Sequence, residues 1–248
     1  MATQLHQAFT VTAVRQDNYR TKTLFLEPSL PAQPGQFVMA WLPGVGEKPF
    51  SLSGSDPLAL TVAAVGPVSE AILRLRRGKR LWLRGPLGRG FEPFGERLLL
   101  VAGGYGAAPL RFLAEVARAQ AKTVEVCLGA STAIDLTLMN EFEKMGCGVR
   151  LATEDGSQGA VGLVTETARL AIQDHRPDDL YACGPVKMLE AVEILAEQSH
   201  LPCQLSWEAH MRCGMGVCGS CELERQGHGT GWLTCLDGPV ERKLQAAA

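Results

Sequence analysis

Arg97-Leu98-Leu99-Leu100-Val101-Ala102-Gly103-Gly104-Tyr105-Gly106-Ala107-Ala108-Pro109-Leu110 reads as a buried strand that runs through glycines directly into a helix. The apolar run to Val101 does not alternate, as expected of a strand covered on both faces. Leu110, Leu113 and Val116 then fall on one helical face. Glycines at such a junction let the backbone approach a pyrophosphate, and free N–H groups at a helix start favour an anion. The spacing is not the G-x-G-x-x-G fingerprint, so a tight turn without a ligand is the competing reading. Gly103, Gly104 and Gly106 are the candidate contacts.

The same alternation continues downstream. Strands are expected over 124–128, 149–152 and 180–183, with helices over 136–145, 164–172 and 187–198, and one more strand over 203–208. Alternating strands and helices predict a parallel α/β sheet. Cys183-Gly184-Pro185 ends one of these strands and precedes a helix. Ligands of open parallel sheets lie beyond the carboxyl ends of strands, so Cys183, Gly184 and Pro185 join the nucleotide candidates. A plain core thiol is the alternative for Cys183.

Upstream, the texture is β. Runs over 9–14, 23–26, 37–41, 60–65 and 80–84 are rich in β-formers and bounded by Pro28, Pro31, Pro34-Gly35 and Pro43-Gly44. Short strands with this punctuation predict a small antiparallel barrel. Within it, Lys48-Pro49-Phe50-Ser51 offers a cation, a ring and a hydroxyl in four residues. Around a flavin these would meet a phosphate, pack on the isoalloxazine and bond a ring nitrogen. As an isolated tetrapeptide it reads equally as a barrel edge. Gly85-Pro86-Leu87-Gly88-Arg89-Gly90-Phe91 fits a turn between domains, and the basic run from Arg74 to Arg80 fits a solvated helix end.

Near the C-terminus stands Cys213-Gly214-Met215-Gly216-Val217-Cys218-Gly219-Ser220-Cys221, followed by Cys235. Thiolates spaced four, two and then distant are the plant-type arrangement for a [2Fe–2S] cluster. Structural zinc sites more often pair two C-x2-C knuckles. Zinc and disulfides are the alternatives for Cys213, Cys218, Cys221 and Cys235.

The chain has 248 residues with 24 basic and 26 acidic side chains, a formal net charge of −2. That balance gives no electrostatic case for nucleic acid or an anionic membrane. No signal peptide and no membrane span are expected, since the apolar runs are short. A cytoplasmic location is expected, in which the eight cysteines stay reduced or metal-bound. Cys127, Cys147 and Cys203 read as buried inert thiols, and His200, His210 and His228 as exposed residues. The tail, Ala246-Ala247-Ala248, reads as frayed.

Taken in order, these motifs resemble the electron-transfer subunits of dihydroorotate dehydrogenase B (PyrK type), within the ferredoxin–NAD(P)+ reductase superfamily. Thr153-Glu154-Asp155-Gly156-Ser157 and Leu236-Asp237-Gly238-Pro239-Val240 add to the likeness. The resemblance implies an FAD-binding β-barrel domain over 1–97, an NAD-binding α/β domain over 98–202 and a [2Fe–2S] domain over 203–248. Its FAD contacts would be Lys48, Pro49, Phe50, Ser51, Ala64, Val65 and Ser69. Lys48 replaces the family's arginine, Ala63-Ala64 its Tyr-Arg, and Ser69-Glu70 its Gly-Thr turn.

The resemblance further implies an FMN-containing dihydroorotate dehydrogenase catalytic subunit as partner, in a heterotetramer of two plus two. The surface around Met211, Arg212, Met215 and Val217 is the expected contact, with covering the cluster as the competing explanation of its apolar residues. A related bifurcating or ferredoxin/sulfide reductase subunit, and a zinc-stabilised nucleotide-binding module without redox activity, are the alternatives. No base–nucleophile pair for oxidising dihydroorotate is evident, so no catalytic residue is assigned.

Overall fold

The computed structural model describes residues 5–223 and 231–243. His228 and Ala246-Ala247-Ala248 lie outside the described residues. The first half builds a seven-stranded antiparallel sheet: β1 (Gln7–Gln16), β2 (Thr21–Glu27), β3 (Phe37–Leu42), β4 (Gly46–Ser51), β5 (Gly54–Ser55), β6 (Leu58–Ala63) and β7 (Arg80–Leu87). Their spatial order is β4-β3-β7-β1-β2-β6-β5. β4 and β6 also meet across the interior, which curls the sheet into a barrel. Val11, Leu24, Val38, Leu60 and Leu81 fill it, and α1 (Pro67–Leu73) adds Val68 and Ile72. Burying a side chain of this size contributes roughly 1.5–3 kcal/mol, enough to fix the register of each strand.

The second half is the expected α/β unit. It comprises β8 (Arg97–Gly103), α2 (Ala107–Ala119), β9 (Thr123–Ala130), α3 (Met139–Lys144), β10 (Gly148–Thr153), β11 (Ala160–Val161), α4 (Val164–His175), β12 (Asp179–Cys183), α5 (Val186–Gln198), β13 (Cys203–Ser206) and β14 (Val240–Lys243). The order β11-β10-β9-β8-β12-β13-β14 reverses direction between β8 and β12. Every pairing is parallel except β13–β14. The glycine turns after β8 and β12 therefore flank the switch point, where open sheets of this kind bind ligands.

Several local expectations change. The segment 136–145 yields only the short α3, because residues just before it are engaged elsewhere. Asn18 Nδ2 donates to Thr137 Oγ1 at 2.9 Å, and Tyr19 OH to Asp135 Oδ1 at 3.0 Å. The strand expected over 60–65 stops at Ala63. Ala64 N–H donates to the Arg20 carbonyl, and Val65 and Gly66 N–H to Ser69 Oγ, which starts α1. Ser69 is thus the hydroxyl that organises a helix start, not a turn residue. β14 has no counterpart in the sequence reading: the chain returns after the cysteine segment and adds an edge strand to the sheet.

The two sheets are joined firmly. Phe112 of α2 is buried in the barrel core, and Arg111 Nη1 donates to the Ser53 carbonyl at 2.8 Å. Arg15 pairs with Glu141 at 2.6 Å and Arg20 with Asp135 at 3.0 Å. Cys127, Cys147 and Cys203 are buried. Burial pushes the Cys127 thiol up to about 12 and that of Cys147 up to about 11, so both stay protonated and inert. His200 and His210 are exposed, as expected. No helix among the described residues is long and apolar enough to cross a membrane.

Candidate flavin, nucleotide and cluster sites

Two cavities open at the switch point. One, of about 200 Å3, is a cleft between the barrel and the second sheet. Pro49, Phe50 and Ser51 of β4 and Val65 line its barrel side, while Gly106, Cys183 and Gly184 line the opposite wall. The other, of about 470 Å3, lies over the carboxyl edge of the parallel sheet and takes in Gly103, Gly104 and Pro185. The first is framed for a flat aromatic ring by Phe50 and a hydroxyl. The second has a glycine turn, the start of the thirteen-residue helix α5 and the exposed Lys187, a setting suited to a pyrophosphate. Lys48, Ala64 and Ser69 line neither cavity, and Lys48 is exposed on β4.

Sequence pattern alone does not single out Tyr105, yet it lines both cavities. Its position between Gly104 and Gly106 was the available signal. Burial, and after it the negative charge of Glu208, hold its phenol above the ordinary value. Cys183 stands on the same wall. Burial pushes its thiol up to about 12, with a Ser206 hydrogen bond opposing and Glu208 adding, so a neutral thiol faces the cleft. Ser206, Trp207, Glu208 and Met211 close the cleft from the far side. Ser206 ends β13 and the other three follow it, so the segment leading to the cysteines forms part of the cleft wall.

Met211 corrects one expectation. It is not on the surface with Arg212, Met215 and Val217; it is 8% exposed, packed with Phe37, Met39, Cys221 and Cys235. Phe37 and Met211 also line the cleft. One apolar cluster therefore runs from the cleft wall to two of the four cysteines. Met215 and Val217 remain exposed, at 43% and 79%.

The cysteine loop folds around its own sulfurs. Met215 N–H points at Cys213 Sγ (3.4 Å), Gly216 N–H donates to Cys235 Sγ (3.2 Å), and Cys218 Sγ lies 3.1 Å from Ser220 Oγ. Thr234 ties the second half to the first through its N–H and hydroxyl, both donated to the Cys221 carbonyl. Hydrogen bonds from Ser220, then from Cys213, bring the exposed Cys218 thiol down to about 6. Burial, then the hydrogen bond with Cys221, push Cys235 up to about 12. Those influences link Cys218 with Cys213 and Cys235 with both Cys221 and Cys213.

Among the described residues no three Cys, His, Asp or Glu side chains are drawn together around one ion. A two-iron cluster shares four thiolates between two metals, so the donor set fits it without such a knot. N–H groups aimed at sulfur are the outer hydrogen bonds that such clusters use.

Comparison with known proteins agrees with this geometry. Residues 208–243 match the family model of the iron–sulfur cluster binding domain of dihydroorotate dehydrogenase B, and residues 100–193 that of the oxidoreductase NAD-binding domain. A Methanopyrus kandleri protein named "Probable dihydroorotate dehydrogenase B (NAD(+)), electron transfer subunit" is 41% identical over 91% of this chain and 86% of its own. A protein of the same name from Thermococcus kodakarensis is 43% identical over 84% and 83%. Among solved structures, an NADH-dependent reduced ferredoxin–NADP oxidoreductase superposes with a TM-score of 0.84 at 26% identity, over 94% of this chain and 87% of that one. With its barrel, its switch-point cavities and its four cysteines in this arrangement, the chain belongs to the family of dihydroorotate dehydrogenase B electron transfer subunits.

Proposed function

We propose that the chain carries electrons between NAD(H) and the catalytic subunit of a dihydroorotate dehydrogenase, through FAD in the cleft and a [2Fe–2S] cluster on its four cysteines. One observation carries this reading: the cleft wall draws residues from the barrel, from the α/β unit and from the segment entering the cysteine loop. A flavin, when bound, supplies the exchange between two-electron and one-electron chemistry that nicotinamide and an iron–sulfur cluster need between them.

The protein's own groups divide the work. Phe50 and Ser51 pack on and orient a ring from the barrel side. Tyr105 stands between the cavities, so entry of a nicotinamide from the larger one requires this half-exposed ring to yield its place. The neutral Cys183 thiol keeps negative charge away from the point of transfer. Phe37 and Met211 exclude water between the cleft and Cys221 and Cys235. Cys213, Cys218, Cys221 and Cys235 are the cluster ligands in this reading; Gly103, Gly104 and Pro185 hold the nucleotide.

The domain limits 1–97, 98–202 and 203–248 follow these roles, although β13 and β14 extend the nucleotide-binding sheet. The partner is an FMN-containing catalytic subunit in a cytoplasmic heterotetramer of two plus two. Met215 and Val217 beside the exposed Cys218 are the face offered to it.

The test is a spectrum and an assay. The purified chain should show flavin bands and a broad iron–sulfur shoulder, both bleached by NADH. It should reduce artificial acceptors with NADH, yet turn over dihydroorotate only with its partner. A colourless protein would support the zinc module instead. The 0.84 TM-score to a bifurcating-type oxidoreductase favours a second reading, a ferredoxin-linked subunit. Full NADH activity with ferredoxin and none with the dihydroorotate-oxidising partner would decide for it.

A further inference from the structure

We propose that Arg84 is the positioning residue of the cluster: it holds the Cys213 loop and sets the charge balance that governs one-electron reduction there. The proposal rests on the cluster reading above. Arg84 lies on β7, far in sequence from the cysteines, and is 6% exposed. Its Nη2 donates to the Cys213 carbonyl at 2.7 Å. Its one carboxylate partner among the described residues is Glu47, at a long 3.4 Å. Glu47 is itself shared with His6, whose Nε2 lies 2.7 Å away.

A buried guanidinium with one loose, shared counter-ion is under-neutralised. The missing negative charge is at hand in the ligand loop. Four thiolates around two irons and two sulfides carry net negative charge, and one-electron reduction adds one more without making or breaking a bond. A fixed cation beside the first ligand therefore favours the reduced form. At an effective dielectric of about 20, a unit charge changes that equilibrium more than tenfold out to roughly 10 Å. The Cys213 carbonyl orients the guanidinium, so the bond also fixes where the loop lies on the barrel. Gly214 shows how close the fit is: a Cβ there would lie 2.9 Å from Met39 Cγ. Met39 is the cross-strand partner of Arg84.

The experiment is a potentiometric titration of the cluster in the holo-protein, followed by electron paramagnetic resonance, with iron measured on each sample. Arg84→Gln should lower the equilibrium constant for reduction more than tenfold, a shift of about 59 mV or more to the negative. Arg84→Lys should stay within threefold of wild type, and Glu47→Gln should raise the constant at least threefold. Opposite signs for the two neutral variants cannot come from general loosening of the loop. A full iron complement in Arg84→Gln with an unshifted potential would overturn the proposal. Should Arg84→Gln lose its iron, an unshifted Glu47→Gln would do the same. Wild-type protein that holds no iron at all would instead defeat the cluster reading itself.

Discussion

A Cβ placed on Gly106 would lie 2.1 Å from the carbonyl oxygen of Cys183. The two turns that flank the switch point thus touch backbone to backbone, and no flexible side chain lies at the contact to yield. Gly106→Ala should separate the strands' carboxyl ends and cost roughly 1–3 kcal/mol, as overpacking does. The expected outcome is a lower urea midpoint together with weaker NADH binding. Wild-type values for both would mean that the turns are not in contact.

Cys218 is the exposed member of the quartet, and its substitution isolates the cluster from the rest. Cys218→Ala should abolish stable cluster binding while leaving most FAD in place, because the β4 residues that line the cleft lie in the barrel. Iron analysis gives the answer. About two irons per chain in the variant would remove Cys218 from the ligand set.

Lys48 calls for a modest effect. A desolvated charge-assisted bond to phosphate is worth roughly 1.5–3 kcal/mol, about tenfold to a hundredfold in affinity. An exposed pair contributes about 0.2–1 kcal/mol. Since Lys48 is exposed at the outer side of β4, Lys48→Ala should weaken FAD retention by no more than about fivefold, and Lys48→Arg should preserve it. A hundredfold loss on FAD titration would place the ammonium on a buried phosphate.

Asp179 gives a pH signature. It is 1% exposed at the start of β12, and burial pushes its carboxyl up to about 6 despite hydrogen bonds from Tyr181, Gln204 and the Leu180 N–H. The folded state therefore holds a proton that the unfolded chain releases near its ordinary 3.8. Stability from this group is complete below about pH 4 and is lost as pH rises through about 6. Asp179→Asn should flatten that slope and raise stability at pH 7.5 by about 1–3 kcal/mol. Urea midpoints at pH 4.5 and 7.5 test this; an unchanged difference between them would rule it out.

The sequence disclosed the parts of the molecule governed by local rules. The unbroken apolar run before Gly103, the one-face spacing of Leu110 and Leu113, and the close grouping of Cys213, Cys218 and Cys221 each report a local constraint. Elements that depend on distant partners were hidden. β14 exists because Cys203 and Lys243 pair across the cysteine segment, a contact without local periodicity. The helix expected from Leu136 begins late because Asp135 and Thr137 serve the β1–β2 turn. Met211 looked like a surface methionine because its neighbours, Phe37 and Met39, are more than 170 positions away. Arg84 has the same difficulty: nothing around it on β7 announces a cysteine loop.

The return strand β14 has a mechanical meaning. Ser206 and Val240 are partners in the ladder, so the cysteine segment leaves and re-enters the sheet at a single point. It is a stapled cassette, not a swinging arm: the iron site cannot travel to meet a distant acceptor. Any acceptor must come to it, and a hinge engineered at either end would break the sheet before it gave the loop any reach.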